Sequence, residues 1–442
     1  MAIDQARKAA LDALCDVLLN RSYGDLAAKE RFKDLDERGA RFARKLLYQT
    51  LDKLYTIDSA LEGRLDFEAT PPKLVNLVRL GACQLMFMEG VPEFAAVDST
   101  VELAKAEGFA TRAAVVNAVL HNVIRDGKQP KLPDREADTV GYLSAKYSWP
   151  RFVVELFLKE QPEQAEALLA YEPRFHATVR ANGLAGGTAE ALQAYLSENT
   201  IEHERGSVMS GAFRVRGSDM IAWPGFQSGE VTAQSEASMV VSHVAAAAAG
   251  KGATILDACA APGGKSAGIA DALGGDCQIT AWDVHRHRVR LMRETFRRLK
   301  VDCATAELHD ARFGDRRTFR FAIVDAPCSG LGVAWDSPDI KVSRRAEDLG
   351  ALTATQLKIL RTVSEVVEVG GRLLYSTCTI SRAENEEIAA QFLRRERGWR
   401  ACELKEYLPE ALRDSTDGNT LQLLPTVHGT EGFFLALFQR VK

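Results

Sequence analysis

The sequence of 442 residues has little of several features that mark specialised classes of protein. Its eight cysteines are too few for a disulfide scaffold, and none forms a CxxC pair, which argues against a structural zinc site. No uninterrupted apolar run approaches the ~18 residues of a membrane-spanning helix. Acidic residues interrupt the apolar positions at the start of the chain, unlike a secretory signal. We therefore expect a cytoplasmic protein with neither a metal nor a membrane partner.

Charge of neither sign dominates, because 56 Lys and Arg stand against 60 Asp and Glu, for a net charge of −4. By itself this balance argues mildly against a nucleic-acid partner. The charge is unevenly spread, however, since residues 284–320 hold eleven basic and five acidic side chains, a local excess of +6. Such a segment fits either a surface that meets phosphates or an ordinary solvated helix face.

The hydrophobic pattern divides the chain into three parts. Residues 1–134 show helical spacing only and end in a polar, proline-containing linker. Residues 140–230 mix helical stretches with short strands, which predicts a small α/β module. From 231 to 442 short apolar strands alternate with amphipathic helices, which predicts a mostly parallel sheet covered by helices on both faces. The strands predicted for this last part are Thr254–Ala258, Gln278–Asp283, Phe321–Asp325 and Arg372–Ser376.

A glycine-rich segment, 257–266, follows the first of these strands and precedes a helix. Its glycines allow a ligand to approach the backbone, and the helix start offers unpaired N–H groups. The segment lacks the GxGxxG pattern, and Cys259 stands where a P-loop needs glycine. This leaves either a turn without a ligand or a site for a nucleoside-bearing cofactor that is not a polyphosphate. Asp283, at the end of the next strand, favours the site because it can accept ribose hydroxyl hydrogens.

Two cysteines follow the ends of two other predicted strands. Cys328 comes three residues after Asp325, and Cys378 lies just beyond the strand that ends at Ser376. Ligands in such sheets bind at the carboxyl ends of the strands, so both cysteines are predicted to be reactive. Most of the remaining cysteines are predicted to be small buried hydrophobic residues: Cys15, Cys83, Cys277, Cys303 and Cys402.

Taken together, these segments resemble the Nol/Nop/Sun family of S-adenosylmethionine-dependent RNA cytosine-C5 methyltransferases. The matching segments are Asp257–Lys265 (DACAAPGGK), Asp325–Cys328 (DAPC), Ser376–Cys378 (STC), Glu384–Glu386, Pro425 and Gly432–Phe434. The helical first part resembles the NusB-type RNA-binding domain. This pairing is similar to the bacterial Sun subfamily, which implies that the partner is RNA, and specifically 16S ribosomal RNA.

The resemblance also implies a fold and residue roles. The implied fold is an all-α NusB-like domain, a small α/β module and a C-terminal Rossmann-like methyltransferase domain. Cys378 is the implied nucleophile, Cys328 the residue that assists product release, and Asp325 the donor to cytosine N3. The implied S-adenosylmethionine pocket consists of Cys259, Ala260, Ala261, Pro262, Gly263, Gly264, Lys265, Asp283, Asp310 and Asp325. Thiolate addition at C6 would make C5 able to attack the sulfonium methyl group.

The chain departs from the family pattern at Ser235, at Trp335 and Asp336, and at Val342, where the family usually has Asp, Arg and Trp. These departures leave the RNA contacts and the exact cytosine open. Methylation of tRNA or DNA cytosine remains an alternative, although DNA-type enzymes use a Pro-Cys-Gln motif and Ser329 follows Cys328 here. A non-catalytic RNA-binding assembly factor is a further alternative. The sequence does not indicate an oligomeric state.

Overall fold

The computed structural model describes residues 4–216, 219–416 and 418–442. The first part of the chain is helical, as predicted. Its α-helices are α1 Gln5–Asn20, α2 Gly24–Arg31, α3 Glu37–Asp52, α4 Leu54–Leu61, α5 Pro72–Phe87, α6 Glu93–Ala104, α7 Ala113–Arg125, α8 Thr139–Tyr147, α9 Arg151–Glu160 and α10 Ala165–Ala170. Among the residues described, no helix is both long and apolar enough to cross a membrane.

Local signals set the ends of these helices. α3 begins where the Asp36 carboxylate accepts a hydrogen bond from the Gly39 N–H at 2.8 Å. α5 begins at Pro72, in the first helical turn, where the missing N–H costs nothing. Each helix turns an apolar stripe inward, and the buried residues of α1, α3, α5, α6 and α7 form one continuous core.

The remainder of the chain forms two sheets with flanking helices. The strands are β1 Ala177–Ala181, β2 His203–Arg205, β3 Ala212–Val215, β4 Val231–Ala233, β5 Ala253–Asp257, β6 Cys277–Asp283, β7 Ala304–Leu308, β8 Phe319–Asp325, β9 Val367–Thr377, β10 Trp399–Ala401, β11 Thr420–Leu423 and β12 Phe433–Arg440. The helices are α11 Ala189–Glu198, α12 Pro224–Ser228, α13 Glu236–Ala249, α14 Gly264–Ala272, α15 Arg286–Arg298, α16 Pro338–Ser343, α17 Ala346–Glu365, α18 Glu386–Arg395 and α19 Pro425–His428.

The smaller sheet has the strand order β2-β3-β1-β4 and is antiparallel. The larger sheet has the order β10-β12-β9-β8-β5-β6-β7, with β11 pairing to β12. Strands β5 to β9 run parallel, whereas β12 runs antiparallel to β9. This confirms the predicted mostly parallel Rossmann-like sheet. Because the parallel strands share a direction, the residues that follow β5, β6, β8 and β9 all lie at the same end of the sheet, beyond the carboxyl ends of these strands.

The chain divides into two compact units. The first extends to Tyr171 and also includes Ser337–Ala346, while the second comprises Glu172–Asp336 and Glu347–Lys442. The helices α8 to α10 therefore belong to the first unit, and the small sheet belongs to the second. The three-domain division at 1–134, 140–230 and 231–442 stays a prediction.

Within the first unit, α16 packs on the helices through a buried cation. Lys341 is 4% exposed, and its ammonium lies 2.7 Å from the Asp52 carboxylate and 4.3 Å from the centre of the Trp149 ring. The Gly24 N–H donates to Asp339 at 3.0 Å, and Val342 packs against the helical core. The departure from the family pattern at Val342 therefore lies at a packing contact of the helical unit.

Replacing Lys341 with methionine is expected to destabilise the contact between α16 and α3. The Asp52 carboxylate would lose a charge-assisted hydrogen bond, which is worth about 1.5–3 kcal/mol. Native-state hydrogen exchange of the α3 and α16 amides would measure the lowered opening free energy. Lys358→Met, at an exposed lysine of α17, is the control. Equal protection of the α3 and α16 amides from exchange in both variants would contradict the structural role of the Lys341–Asp52 ion pair.

Candidate active site

The glycine-rich segment forms a tight connection between β5 and α14. The Ala258 N–H donates to the Ile323 carbonyl at 3.0 Å, and the Ala260 N–H donates to the Trp282 carbonyl at 2.8 Å. These bonds fix the connection to the neighbouring strands β8 and β6. Gly263 has φ +100°, and a Cβ atom there would lie 3.0 Å from the Phe296 ring. Only glycine adopts this conformation without strain, so the sequence determines the turn.

Space for a ligand lies at the start of α14. A Cβ atom built on Gly264, the first residue of the helix, would meet no heavy atom within 4 Å. The first N–H groups of a helix have no partner within the helix itself. The open backbone, together with an acid at the end of the next strand, fits a nucleoside-bearing cofactor.

That acid, Asp283, is 5% exposed and ends β6. One carboxylate oxygen accepts the His285 N–H at 2.8 Å, and the other lies 3.2 Å from the Arg288 guanidinium. Arg288 also donates to the Ala261 carbonyl at 2.9 Å. It thereby connects Asp283 to the glycine-rich segment. Asp310 follows β7, and hydrogen bonds from the Arg312 side chain hold the pKa of its carboxyl below the usual value.

Asp257, the first residue of the motif, is fully buried at the end of β5. Burial raises the pKa of its carboxyl to about 7, although the hydrogen bond from the Ser266 hydroxyl, 2.6 Å long, acts in the opposite direction. The bond joins β5 to α14 across the connection. Asp257 therefore helps to hold the backbone of the predicted pocket in place.

Lys265 and Asp325 form an ion pair above the carboxyl ends of β5 and β8. The lysine Nζ lies 2.7 Å from one carboxylate oxygen of Asp325, and the Ser376 hydroxyl donates to the other at 2.8 Å. The Lys265 ammonium also lies 5.2 Å from the centre of the Phe433 ring. These contacts fix the Asp325 carboxyl at the edge of the sheet, beside both cysteine-bearing loops.

The structure brings Cys328 and Cys378 together, with their Sγ atoms 3.2 Å apart. The hydrogen bond between them lowers the pKa of the Cys378 thiol, burial and the Asp325 carboxylate raise it, and the Lys265 ammonium lowers it, for a net decrease. The same bond, together with burial, raises the pKa of the Cys328 thiol well above its usual value. These opposite shifts mean that Cys378 ionises more readily than Cys328.

Gly332 and Gly432 allow the segments that contain them to pack closely against each other and against the Cys378 loop. The Gly332 N–H donates to the Cys378 carbonyl at 3.0 Å, and the Gly432 N–H donates to the Gly332 carbonyl at 2.8 Å. A Cβ atom on Gly332 would lie 1.9 Å from the Gly432 carbonyl oxygen and 2.9 Å from that of Cys378. Sequence reasoning missed Gly332, because nothing in the local pattern shows that two other loops pass against it.

The departures from the family pattern have local explanations. Ser235 caps α13 by accepting the Ser238 N–H at 3.3 Å, the role that an aspartate can also fill. The Asp336 carboxylate lies 3.0 Å from the His176 ring nitrogen. Trp335 is buried. The Glu431 carboxylate accepts the Ala237 N–H in the first turn of α13 at 3.1 Å.

Comparison with solved structures gives the fold independently. PH0851 aligns over 100% of this chain and 99% of its own, with a TM-score of 0.82 and 21% identity. NSun6 from Pyrococcus horikoshii, solved with SFG, aligns over 67% of this chain and 99% of its own, with a TM-score of 0.57 and 20% identity. At these identities the likeness establishes the fold alone.

Sequence comparison gives the family. Residues 245–439 match the model described as 16S rRNA methyltransferase RsmB/F, and residues 4–125 match the NusB family. The probable ribosomal RNA small subunit methyltransferase B of Bacillus subtilis (strain 168) is 33% identical over 98% of each chain. The ribosomal RNA small subunit methyltransferase B of Pseudomonas putida is 31% identical over 97% of each. Relatives matched at full length, together with both family models, show that the chain belongs to the RsmB/F family of 16S rRNA methyltransferases.

Proposed function

We propose that this protein transfers a methyl group from S-adenosylmethionine to C5 of a cytosine in 16S ribosomal RNA, through a covalent bond between Cys378 and C6. The observation that carries this proposal is the cysteine pair, with 3.2 Å between the sulfur atoms, beside the Lys265–Asp325 ion pair. A poor carbon nucleophile needs covalent activation, and a thiolate with a lowered pKa supplies it.

The residues at the strand ends fit S-adenosylmethionine. In this proposal the carboxylate of Asp283, at the end of β6, accepts the ribose hydroxyl hydrogens, and the open backbone at Gly264 leaves room for the ligand. Cys259 to Lys265, Asp310 and Asp325 complete the pocket in this proposal. When bound, the cofactor supplies an electrophilic methyl group.

The first step uses Cys378 and Asp325. The Cys378 thiolate forms a bond to C6, the C5–C6 double bond shifts electrons toward N3, and N3 takes up a proton. Asp325 now accepts hydrogen bonds from Lys265 and Ser376, so it must gain a proton before it donates to N3. The Lys265 ammonium, 2.7 Å away, is the nearest source of that proton.

The last step releases the product. After C5 has gained the methyl group, its remaining proton is lost to water, the C5–C6 double bond re-forms, and the bond between C6 and the Cys378 sulfur breaks. N3 returns its proton through Asp325 to Lys265, which restores the starting charges. The departing sulfur carries negative charge. In this proposal the S–H of Cys328, whose sulfur lies 3.2 Å from that of Cys378, stabilises that charge.

Bisulfite mapping of total RNA tests the function directly. In RNA from a strain that lacks the gene, one cytosine of 16S ribosomal RNA is expected to lose its protection from conversion by bisulfite. The purified protein is expected to restore that protection in vitro. A lost signal in tRNA, or methylation of DNA by the purified protein, would replace the proposed substrate. Unchanged protection everywhere, with no cofactor binding, would favour a non-catalytic assembly factor.

Asp283→Ala is expected to weaken S-adenosylmethionine binding by about 1.5–3 kcal/mol, because hydrogen bonds to a charged group are lost. Titration calorimetry on the folded variant measures the change. Asp302→Ala removes an exposed carboxylate that lies beyond the end of α15 and serves as the matched control. Equal affinity in the two variants would remove Asp283 from the pocket.

A further inference from the structure

The reaction described above leaves one buried carboxylate near the cysteines without a role. Glu384 lies six residues after Cys378 and two residues before the start of α18, and it is fully buried. One oxygen accepts the Ser329 N–H at 2.8 Å and the other accepts the Ser329 hydroxyl at 2.6 Å. The Gln356 side-chain amide donates to Glu384 as well, at 2.9 Å. Burying a charge is costly, and these three donors offset that cost.

These bonds fix the backbone on both sides of Cys328. The Gln356 amide that donates to Glu384 also donates to the Pro327 carbonyl, at 3.0 Å. Glu384 holds the peptide N–H that follows Cys328, and Gln356 holds the carbonyl that precedes it. The position of the Cys328 sulfur therefore depends on the carboxylate of Glu384, a residue that follows Cys378 in the chain.

The same network reaches the Cys378 loop. The hydroxyl groups of Ser329 and Thr379, the residues that follow the two cysteines, lie 2.8 Å apart. Asn385, next to Glu384, donates to the Thr379 carbonyl at 3.0 Å and accepts the Thr377 hydroxyl at 2.5 Å. The two cysteine loops are thus joined through residues 384 and 385.

The charge of Glu384 faces the cysteine pair together with two other charged groups, Lys265 and Asp325. The carboxylates of Glu384 and Asp325 disfavour a thiolate at either sulfur. The Lys265 ammonium opposes this effect at Cys378, while at Cys328 the negative charges add to the effect of burial. With the hydrogen bond between the two sulfurs, the net result is a raised pKa at Cys328 and a lowered pKa at Cys378.

From this geometry, and resting on the proposed covalent mechanism, we propose that Glu384 is a positioning residue that holds the Cys328 S–H against the Cys378 sulfur during release of the methylated RNA. It acts through Ser329 and Gln356 and touches neither cofactor nor base. Its loss should therefore affect breakdown of the covalent adduct rather than RNA or cofactor binding.

Glu384→Gln tests this proposal because it keeps the shape and removes the charge. The full-length variant is expected to turn over at least tenfold more slowly, with KM values for RNA and S-adenosylmethionine within twofold of wild type. During turnover it should accumulate an RNase-sensitive covalent band on a denaturing gel, as is expected of Cys328→Ala. The ratio of the alkylation rates of Cys378 and Cys328 with iodoacetamide should also fall, which mass spectrometry measures at each site. Glu387→Gln, at an exposed glutamate in the first turn of α18, is the matched control and should behave as wild type.

Ser329→Ala keeps the backbone bond to Glu384 and removes only the hydroxyl contacts, and it decides the question if Glu384→Gln does not fold. It should give the same trapped band in smaller amount. An adduct in Cys328→Ala but none in folded Glu384→Gln or Ser329→Ala would overturn the role of Glu384. No adduct in Cys328→Ala itself would instead overturn the covalent mechanism, so the two failures are distinguishable.

Discussion

Cys378→Ala is expected to lower methylation of 16S ribosomal RNA by at least ~10⁴-fold, the scale seen when a covalent nucleophile is removed. Cys328 is not expected to replace it, because the hydrogen bond with Cys378 and burial raise the pKa of the Cys328 thiol well above its usual value. Affinity for S-adenosylmethionine should stay unchanged, since the residues of the predicted pocket follow β5, β6, β7 and β8, whereas Cys378 follows β9. Transfer of radiolabelled methyl groups measures the first quantity and calorimetry the second.

The control for this variant is Cys402→Ala, a partly exposed cysteine that follows β10. It should retain wild-type activity. Activity of Cys378→Ala within tenfold of that control would remove thiolate addition by Cys378 from the mechanism, because C5 of cytosine is too weak a nucleophile without it.

Cys328→Ala is expected to stop after a single round, with the methylated RNA still attached to Cys378. The variant keeps the nucleophile but loses the S–H that lies 3.2 Å from the departing sulfur. A band of low mobility should appear on a denaturing gel, and RNase treatment should collapse it to the size of the free protein. Mass spectrometry of the digested band should find the nucleotide on Cys378.

The double variant Cys328→Ala/Cys378→Ala should lose the band, because the bond itself cannot form. If the band appears in Cys378→Ala instead, the two cysteines have exchanged roles, as in DNA-type cytosine methyltransferases. The structure argues against that exchange, since the pKa of Cys378 is lowered and that of Cys328 is raised.

The hydrogen bond from Cys328, together with the nearby Lys265 ammonium, also gives Cys378 a distinctive pH dependence. The pKa of Cys378 is lowered in the folded protein, so the thiolate is already present below the pH at which a free cysteine ionises. The rate of Cys378 alkylation should therefore reach its plateau at a lower pH than that of a cysteine peptide. Lys265→Met should move the plateau upward, because it removes the positive charge.

The sequence alone determined the elements that carry the site. The strands before Asp257, Asp283, Asp325 and Ser376 are short apolar runs, and such patterns depend on neighbours along the chain. The positive φ of Gly263 is likewise a local property. For these reasons the carboxyl edge of the sheet, and most of the residues that line it, could be predicted from the order of the amino acids.

Other features of the fold were decided only by tertiary structure. Strands β10 to β12 were not predicted from the pattern, and β12 lies beside β9, which precedes it by more than fifty residues. Residues 337–346 belong to the helical unit although they lie within the second part of the chain. Nothing in the local composition of either segment specifies its partner.

The contact between Cys328 and Cys378 shows the same limit at the site. The sequence placed each cysteine beyond the end of a strand, but the 3.2 Å between their sulfur atoms depends on the pairing of β8 with β9 and on Ser329, Gln356 and Glu384. A single sequence records which residues can donate and accept hydrogen bonds. Which of them meet is set by the packing of segments distant in the chain, because only the folded core fixes their separation.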